Sequence, residues 1–458
     1  MDSPAQEQPL HKPRFCEGSI LRHVLVMSGT GAIGLLAVFI VDFLNLFYIS
    51  LLGNASFTAA IGFTGVIGFL QLSVCIGMSI GIVVVIARLI GSQNFAVARR
   101  IATSFMIFMT VIMLIIGIGT ALFATPILRL LGAQPDVIQS ARIFIVIVSP
   151  ALFLVALGMG LSSLLRAVGD AKRSMHVTLI GALVTAIVDP ILILGFHLGI
   201  EGAAISTVLS RIAVSLLGFY SLRIYNLLVK PEWKWIIADT RYVLTIAFPA
   251  ILTNLATPVG SAFTVRIMSH FGNHAIASQA TIDRITPVAF AFVFALTGSV
   301  GPIISQNFGA GLRERMQETL SASLKLALCC VISAWIIFAL GQNFIIDIFS
   351  LKEEGADLMH LFCNWVILSN LFIGMLFVSN TAFNNLGYPL LSTLFNWGRA
   401  TLGTIPFVWF GSHYGPKGVL IGQALGVVPF GTIAVIIAFI VIKHVKMHVV
   451  LPQRHSGS

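Results

Sequence analysis

Two aspartates lie where hydrocarbon is expected. Asp42 sits in FIVDFLNLFYIS and Asp189 in VTAIVDPILILGF, both inside long apolar runs. A carboxylate at the middle of a membrane helix costs roughly 2.5–3.5 kcal/mol on insertion scales, so such groups are rare and carry function. Asn45 follows Asp42 by three residues and shares its helix face. Thr185 precedes Asp189 by one turn, and Thr207 lies in the next apolar run. Asp42, Asn45, Thr185, Asp189 and Thr207 therefore form an all-oxygen set. Oxygen ligands suit a hard cation such as Na+, and a desolvated carboxylate suits a proton. The expected chemistry is reversible binding of H+ or Na+, with no cofactor and no resident metal.

These residues need a scaffold, and composition sets its class. The chain has 458 residues, 57% hydrophobic and only 10% charged, with a mean hydropathy of +0.98. A soluble domain carries about 25% charged residues. The chain is expected to be an all-α polytopic membrane protein; the alternating ten-residue strands of a membrane barrel are missing from the sequence. Twelve apolar spans are expected, starting near residues 21, 57, 102, 138, 175, 201, 241, 276, 321, 356, 391 and 417. The net charge of +10 does not point to nucleic acid, because the basic residues cluster in short loops between spans. Arg88, Arg99, Arg100, Arg166, Lys172, Arg173, Arg313, Arg315 and Lys443 fall on one side; Arg129, Arg142, Lys352 and Lys417 fall on the other. The positive-inside rule then places both termini in the cytoplasm. The five cysteines have no metal spacing and suggest no disulfide framework.

The two halves of the chain repeat. RHVLVMSG from Arg22 aligns with RYVLTIAF from Arg241, SLLGN from Ser50 with SHFGN from Ser269, and GSQNFAVARR from Gly91 with ISQNFGAGLRER from Ile304. TAIVDPILILGFHLGIEG from Thr185 aligns with TLGTIPFVWFGSHYGPKG from Thr401. Six spans per half give both halves one orientation, hence two six-helix lobes related by a pseudo-two-fold axis along the membrane normal. The expected division is a tail at 1–19, an N-lobe at 20–226, a linker at 227–240, a C-lobe at 241–445 and a tail at 446–458. Pro190 has a repeat partner in Pro406, so the proline is scaffold; a helix proline frees the carbonyl four residues back, here that of Ala186. Asp189 has no such partner, because Ile405 takes its place, and Asp42 and Asn45 correspond to Ser261 and Thr264. The acidic set belongs to one lobe only. The glycines of GTGAIG and GFTGVIG are expected to let helices approach closely. Asp283 and Arg284, adjacent in sequence, are expected to anchor the lobe interface. Gln71, Asp283, Arg284, Asn370 and Asn380 are the candidates for a substrate cleft. Few other charges are expected in that cleft, which argues against phosphate-bearing cargo.

The pieces ISLLGNASFTAAIGF, ARLIGSQNFAVARR, LLRAVGDAKRSM, VDPILI, LGIEGAAISTVLS and IDRITPVAF, in this order and spacing, resemble the MATE (multidrug and toxic compound extrusion) family, and within it the DinF-type branch. The resemblance covers about residues 20–445. It implies two lobes facing a cleft and a secondary active antiporter, which exports lipophilic or cationic organic compounds against inward H+ or Na+ flow. It also implies a monomer in a bacterial inner membrane, with a small molecule and the lipid bilayer as its partners. The family's cation site matches at Asp189 and Thr207. The family's aspartate in span one falls on Asn45, with the carboxylate one turn earlier at Asp42, and its span-five asparagine is Thr185. The alternatives are export of one endogenous metabolite or flipping of a lipid-linked molecule on the same fold. An intramembrane enzyme has no supporting nucleophile, acid–base pair or metal set.

Overall fold

A computed structural model describes residues 13–50, 55–349 and 351–447. The first twelve residues of the N-terminal tail, the tail beyond residue 447 and most of the SLLGN motif lie outside the described residues. The chain is helical throughout. The first half holds α1 (Ile20–Ser50), α2 (Ala55–Gly91), α3 (Phe95–Leu122), the short α4 (Ala124–Leu130), α5 (Pro135–Val148), α6 (Leu152–Ala167), α7 (Ala171–Pro190) and α8 (Gly199–Leu222). The second holds α9 (Ile236–Met268), α10 (Asn273–Ala289), α11 (Ala291–Gly309), α12 (Arg313–Ile348), α13 (Glu354–Asn364), α14 (Asn370–Leu386), α15 (Pro389–Gly398), α16 (Ile405–Ser412) and α17 (Gly415–His444).

Among the described residues, nine helices are long and apolar enough to cross a bilayer alone. The pair α5–α6 bends by 52° and α10–α11 by 48°, each completing one further span. The twelfth is α15–α16, joined through a π-helical turn at Arg399–Gly403. The first half has a π turn at Ile191–Gly195, directly after Pro190. In the second half the π turn comes before the proline, and Pro406 lies in the first turn of α16. Each repeated proline thus lies within a few residues of a π turn, on opposite sides of it in the two lobes. Large side chains such as Phe43, Ile115, Leu216, Leu340 and Leu402 stay exposed, as a lipid-facing surface requires.

Two spans begin earlier than their hydropathy suggests. Helix α3 starts at Phe95 and α12 at Arg313, because FAVARR and RERMQETL are polar yet helical turns lying at the membrane surface. The linker is shorter than its polar stretch. Asn226 ends the first half in a left-handed turn, φ 47°, and α9 has begun by Ile236. Asp239 in its first turn is fully buried and takes two bonds from Arg100, at 3.1 and 3.0 Å, and one from Ser104 at 3.0 Å. The Arg100 guanidinium lies 3.9 Å from the centroid of the Trp235 ring. That ion pair fastens the start of the second lobe to α3.

The lobes exchange their first helices. The early part of α1, through Ile20, Val24 and Met27, packs in one core with Leu296, Val300 and Ile303 of α11. Correspondingly, Val243, Ile246 and Ala247 of α9 pack with α2, α3 and α6 of the first lobe. The later parts return home: Gly34 meets Thr178 of α7, and Gly260 meets Ala400 and Thr404. Close approach between lobes comes from Gly31, which abuts Ala295 of α11, and from glycines outside the two expected motifs. Gly77 and Gly81 abut Ile251 and Ala247 of α9, while Gly91 abuts the Gln306 carbonyl and Gly309 that of Arg88. Gly31 and Gly34 do pack tightly, whereas Gly62, Gly65 and Gly68 face open space.

The first and last described segments meet on one side of the molecule, where the lobes are closed together. Residues 13–18 are a clasp rather than a free tail. Phe15 is buried, its N–H donates to Gln306 Oε1 at 3.0 Å, and Gln306 Nε2 donates to the Ala167 carbonyl at 2.7 Å. Arg315 reaches the carbonyls of Phe15, Glu17 and Gly18. Two residues earlier, Arg313 holds the Val445 carbonyl at 2.7 Å. Gly169, at φ 85°, leaves room for Arg14 and Phe15 that a Cβ would fill. Arg88 completes the closure across the lobes, donating to the Asn385 carbonyl at 2.8 Å and lying 4.8 Å from the Phe308 ring centroid.

Two outcomes follow. Asp239→Asn leaves Arg100 buried with no anion and should cost about 3–5 kcal/mol, read as a lower midpoint of thermal unfolding in detergent. Gly91→Ala places a methyl against the Gln306 backbone and should hold the closed side apart. The reporter is Cys16, whose Sγ lies 3.6 Å from the Gln306 carbonyl. Burial raises that thiol's pKa, with Arg315 partly opposing, so it should be slow to react when the clasp is shut. Maleimide labelling at Cys16, followed by peptide mass spectrometry, should be severalfold faster in Gly91→Ala than in the wild type; equal rates would exclude this contact as the closure.

Candidate functional site

The acidic set assembles in the first lobe at the break in span five. Asp189 is the penultimate residue of α7, just before the π turn, and is 1% exposed. Asn45 of α1 donates from Nδ2 to Asp189 Oδ2 at 2.8 Å. Oδ1 is buried with no hydrogen-bond donor. Ser206 of α8 turns its hydroxyl toward Asp189 without reaching hydrogen-bond geometry, so its Oγ is also unpartnered. One carboxylate oxygen and one hydroxyl oxygen are thus both buried and unsatisfied. Buried polar atoms in that condition are few in native proteins and mark places where a water, ion or proton completes the set.

A cavity of about 690 Å³ adjoins this point, enclosed by α1, α2, α5, α6, α7 and α8. Asp42, Asn45, Thr185 and Thr207 all line it. The threonine hydroxyls donate to their own helices, Thr185 to the Gly181 carbonyl at 3.0 Å and Thr207 to that of Ala203 at 2.8 Å. Their oxygens remain available as acceptors or ligands. Asp42 is exposed on the wall and makes no salt bridge. Asn45 therefore stands at the inner position beside Asp189, and Asp42, one turn away on α1, faces the open space. The shift in spacing seen in the sequence leaves one carboxylate buried, Asp189, and one accessible, Asp42.

The five cleft candidates do not converge. Gln71 is buried within the first lobe and donates to Thr120 at 3.0 Å, tying α2 to α3. Asn370 donates to the Ile367 carbonyl at 3.0 Å and closes the first turn of α14. Asn380 is buried in α14, where its carbonyl accepts from Ser392. Asp283 is exposed and accepts from Gln279, four residues back on its own helix, at 3.0 Å. Arg284 beside it is exposed as well. An exposed pair of this kind does not anchor a lobe interface, which is formed instead by α1, α2, α9 and α11. None of the five lines either cavity described here.

A second, smaller cavity of about 300 Å³ lies between the lobes, lined by α1, α2, α6, α7, α11 and α14. Asn384, Asn385 and Phe294 contribute from the second lobe. Met159, Arg166 and Thr178 line both cavities, so the two spaces meet at these side chains. Arg166 reads in the sequence as a loop charge at a helix end; its serines three and four residues earlier, Ser163 and Ser162, were the available sign of an inward-facing group. No cluster of three or more His, Cys, Asp or Glu side chains with metal geometry occurs among the described residues.

With this geometry in view, the chain can be compared with known proteins. The MatE family model matches residues 32–191 and 249–410, one match in each half. A FAD transporter of Shewanella oneidensis is 28% identical, across 87% of this chain and 90% of that one. The multidrug export protein MepA of Staphylococcus saprophyticus is 28% identical, across 73% of this chain and 75% of that one. In three dimensions, a mutant of the Vibrio cholerae MATE transporter VcmN superposes with a TM-score of 0.89 at 22% identity, covering 93% of this chain and 98% of that one. Family match, repeat and architecture coincide: this chain is a multi-pass membrane protein with the twelve-helix, two-lobe fold, and it belongs to the MatE family of membrane transporters.

Proposed function

We propose that this protein is a secondary active exporter that exchanges organic compounds for inward H+ or Na+ by alternating access, acting as a monomer in the bacterial inner membrane with both termini cytoplasmic. The observation that carries the coupling assignment is Asp189, buried, bonded through one oxygen to Asn45 and left without a donor at the other. Such a carboxylate gains its missing partner when a proton or Na+ arrives. Asp42 on the cavity wall is the accessible carboxylate that passes the ion to it. Each elementary charge entering down the membrane potential supplies about 2.3 kcal/mol per 100 mV, enough for roughly a fortyfold gradient of cargo.

The positive-inside bias makes the clasped side cytoplasmic. On that reading the Arg88–Asn385, Gln306–Ala167 and Phe15–Gln306 bonds close the inner gate, and rocking the lobes apart must break them. Multidrug export is supported by the similarity to MepA. Export of one endogenous metabolite is the second reading, favoured by the similarity to the FAD transporter, which extends over more of the chain.

In proteoliposomes with an imposed pH or Na+ gradient, Asp189→Asn should abolish gradient-driven efflux while the protein still purifies as a folded monomer. Asp42→Asn should slow the same flux without abolishing it. Undiminished efflux in Asp189→Asn would remove that residue from the coupling path. Asn45→Ala takes the hydrogen bond from a buried carboxylate and should destabilise the protein by about 1–3 kcal/mol at neutral pH. Because a protonated Asp189 needs that donor less, the loss should shrink as the pH falls, which thermal unfolding across a pH series measures.

A further inference from the structure

The large cavity is lined by two arginines that form no salt bridge among the described residues. Arg166 lines both cavities, at their junction. Its guanidinium touches only neutral hydroxyls of its own helix, Ser163 at 2.8 Å and Ser162 at 3.4 Å. Its Nε is buried with no acceptor. Arg211 of α8 lines the same cavity and spends one nitrogen on the Val148 carbonyl at 2.7 Å. The salt bridges among the described residues pair Arg100 with Asp239, Arg173 with Asp170 and Lys417 with Asp357; neither Arg166 nor Arg211 takes part.

A guanidinium stays charged at any accessible pH. Holding one away from bulk water with no anion is costly, and membrane proteins ordinarily pair such groups. Among the residues lining the large cavity, Asp42 is the single carboxylate against two arginines. Much of the remaining wall is apolar, including Ile61, Phe144, Leu154, Met159 and Val214. A site of this volume, with an unpaired guanidinium at its edge and an apolar wall, fits an organic molecule with one anionic end. The planar fork of arginine matches a carboxylate or a phosphate in a two-bond contact.

We propose that the cargo is an amphiphilic organic anion, whose carboxylate or phosphate docks on Arg166 while its apolar body fills the cavity. This rests on the transporter reading above and reverses the expectation that the cleft is poor in charge. Separating the roles also follows: Arg166 recognises the cargo, and the aspartates handle the coupling ion.

The test uses flavins that share one ring system and differ in charge. Binding of riboflavin (neutral), flavin mononucleotide (phosphate) and carboxymethylflavin (carboxylate) to the purified full chain is measured by flavin fluorescence quenching, with tetraphenylphosphonium as the cationic competitor. An anionic flavin should bind about tenfold or more tighter than riboflavin, as one charge-assisted pair provides. Which of the two anions gains more identifies the headgroup. Arg166→Gln should remove the anion advantage and leave riboflavin binding unchanged, while Arg166→Lys should keep part of it. Equal affinity for all three flavins, no binding of either anion, or tetraphenylphosphonium displacing every flavin in an Arg166-independent way would overturn the proposal, and the wild-type comparison needs no variant to fold. Gradient-driven export of tetraphenylphosphonium with no anion preference would sink the cargo class and leave the exporter standing. Arg166-dependent anion binding without gradient-driven flux would do the reverse.

Discussion

Hydrocarbon offers no hydrogen bonds, and the whole molecule is arranged around that constraint. Most hydroxyls inside the spans solve it locally, donating to a carbonyl one turn back on their own helix, as Thr110, Ser299, Ser323 and Ser379 do. Groups that cannot solve it locally stand out. Such atoms occur in both lobes, Asn380 Oδ1 and Arg399 Nε among them, and three of them, Asp189 Oδ1, Ser206 Oγ and Arg166 Nε, belong to the first lobe beside its cavities. The corresponding positions of the second lobe carry Ile405 and Ser261 where the first has Asp189 and Asp42, so the duplicated scaffold is stable without the acidic groups. What differs between the twins is what the membrane penalises, and the proposed coupling site rests on that difference.

The architecture was legible in the sequence because bilayer thickness fixes span length and because the chain repeats itself. The starts fall on observed helices, and the largest deviations are at α3 and α12, where basic amphipathic turns carry no hydropathy signal, and near 356, which falls on the separate helix α13 ahead of the apolar span Val366–Leu386. The proline pair pointed to the neighbourhood of the two π turns. Asn45 and Asp189 belong to one set by residue type, but the spacing that puts Asp42 and Asn45 on one helix face does not show that Asn45 is the one to bond Asp189.

Other parts were not legible. Glycine gives no indication of its neighbour, so the helix-packing glycines at 77, 81, 91 and 309 could not be told from those at 62, 65 and 68 that meet nothing. Asparagine and glutamine inside spans suggested a cleft, but an amide can satisfy itself on its own helix or a neighbour, as Asn370 and Gln71 do. Arg166 was hidden by its place at a helix end, where an arginine ordinarily turns to the headgroups. The clasp at Phe15 was hidden because a proline-rich polar segment looks free until its backbone meets Gln306 and Arg315.

The exchanged first helices carry a consequence for how the chain is made. The core around Ile82, Phe105 and Leu161 is incomplete until Val243 and Ala247 arrive, and these residues are synthesised only after every helix of that lobe. The early part of α1 waits still longer, for Leu296 and Val300. Neither half reaches its final packing as an autonomous unit during biogenesis. A nascent chain stopped at the linker leaves an unfilled groove on one lobe and an unpartnered helix beside it, so assembly is completed late, in one concerted step across both halves.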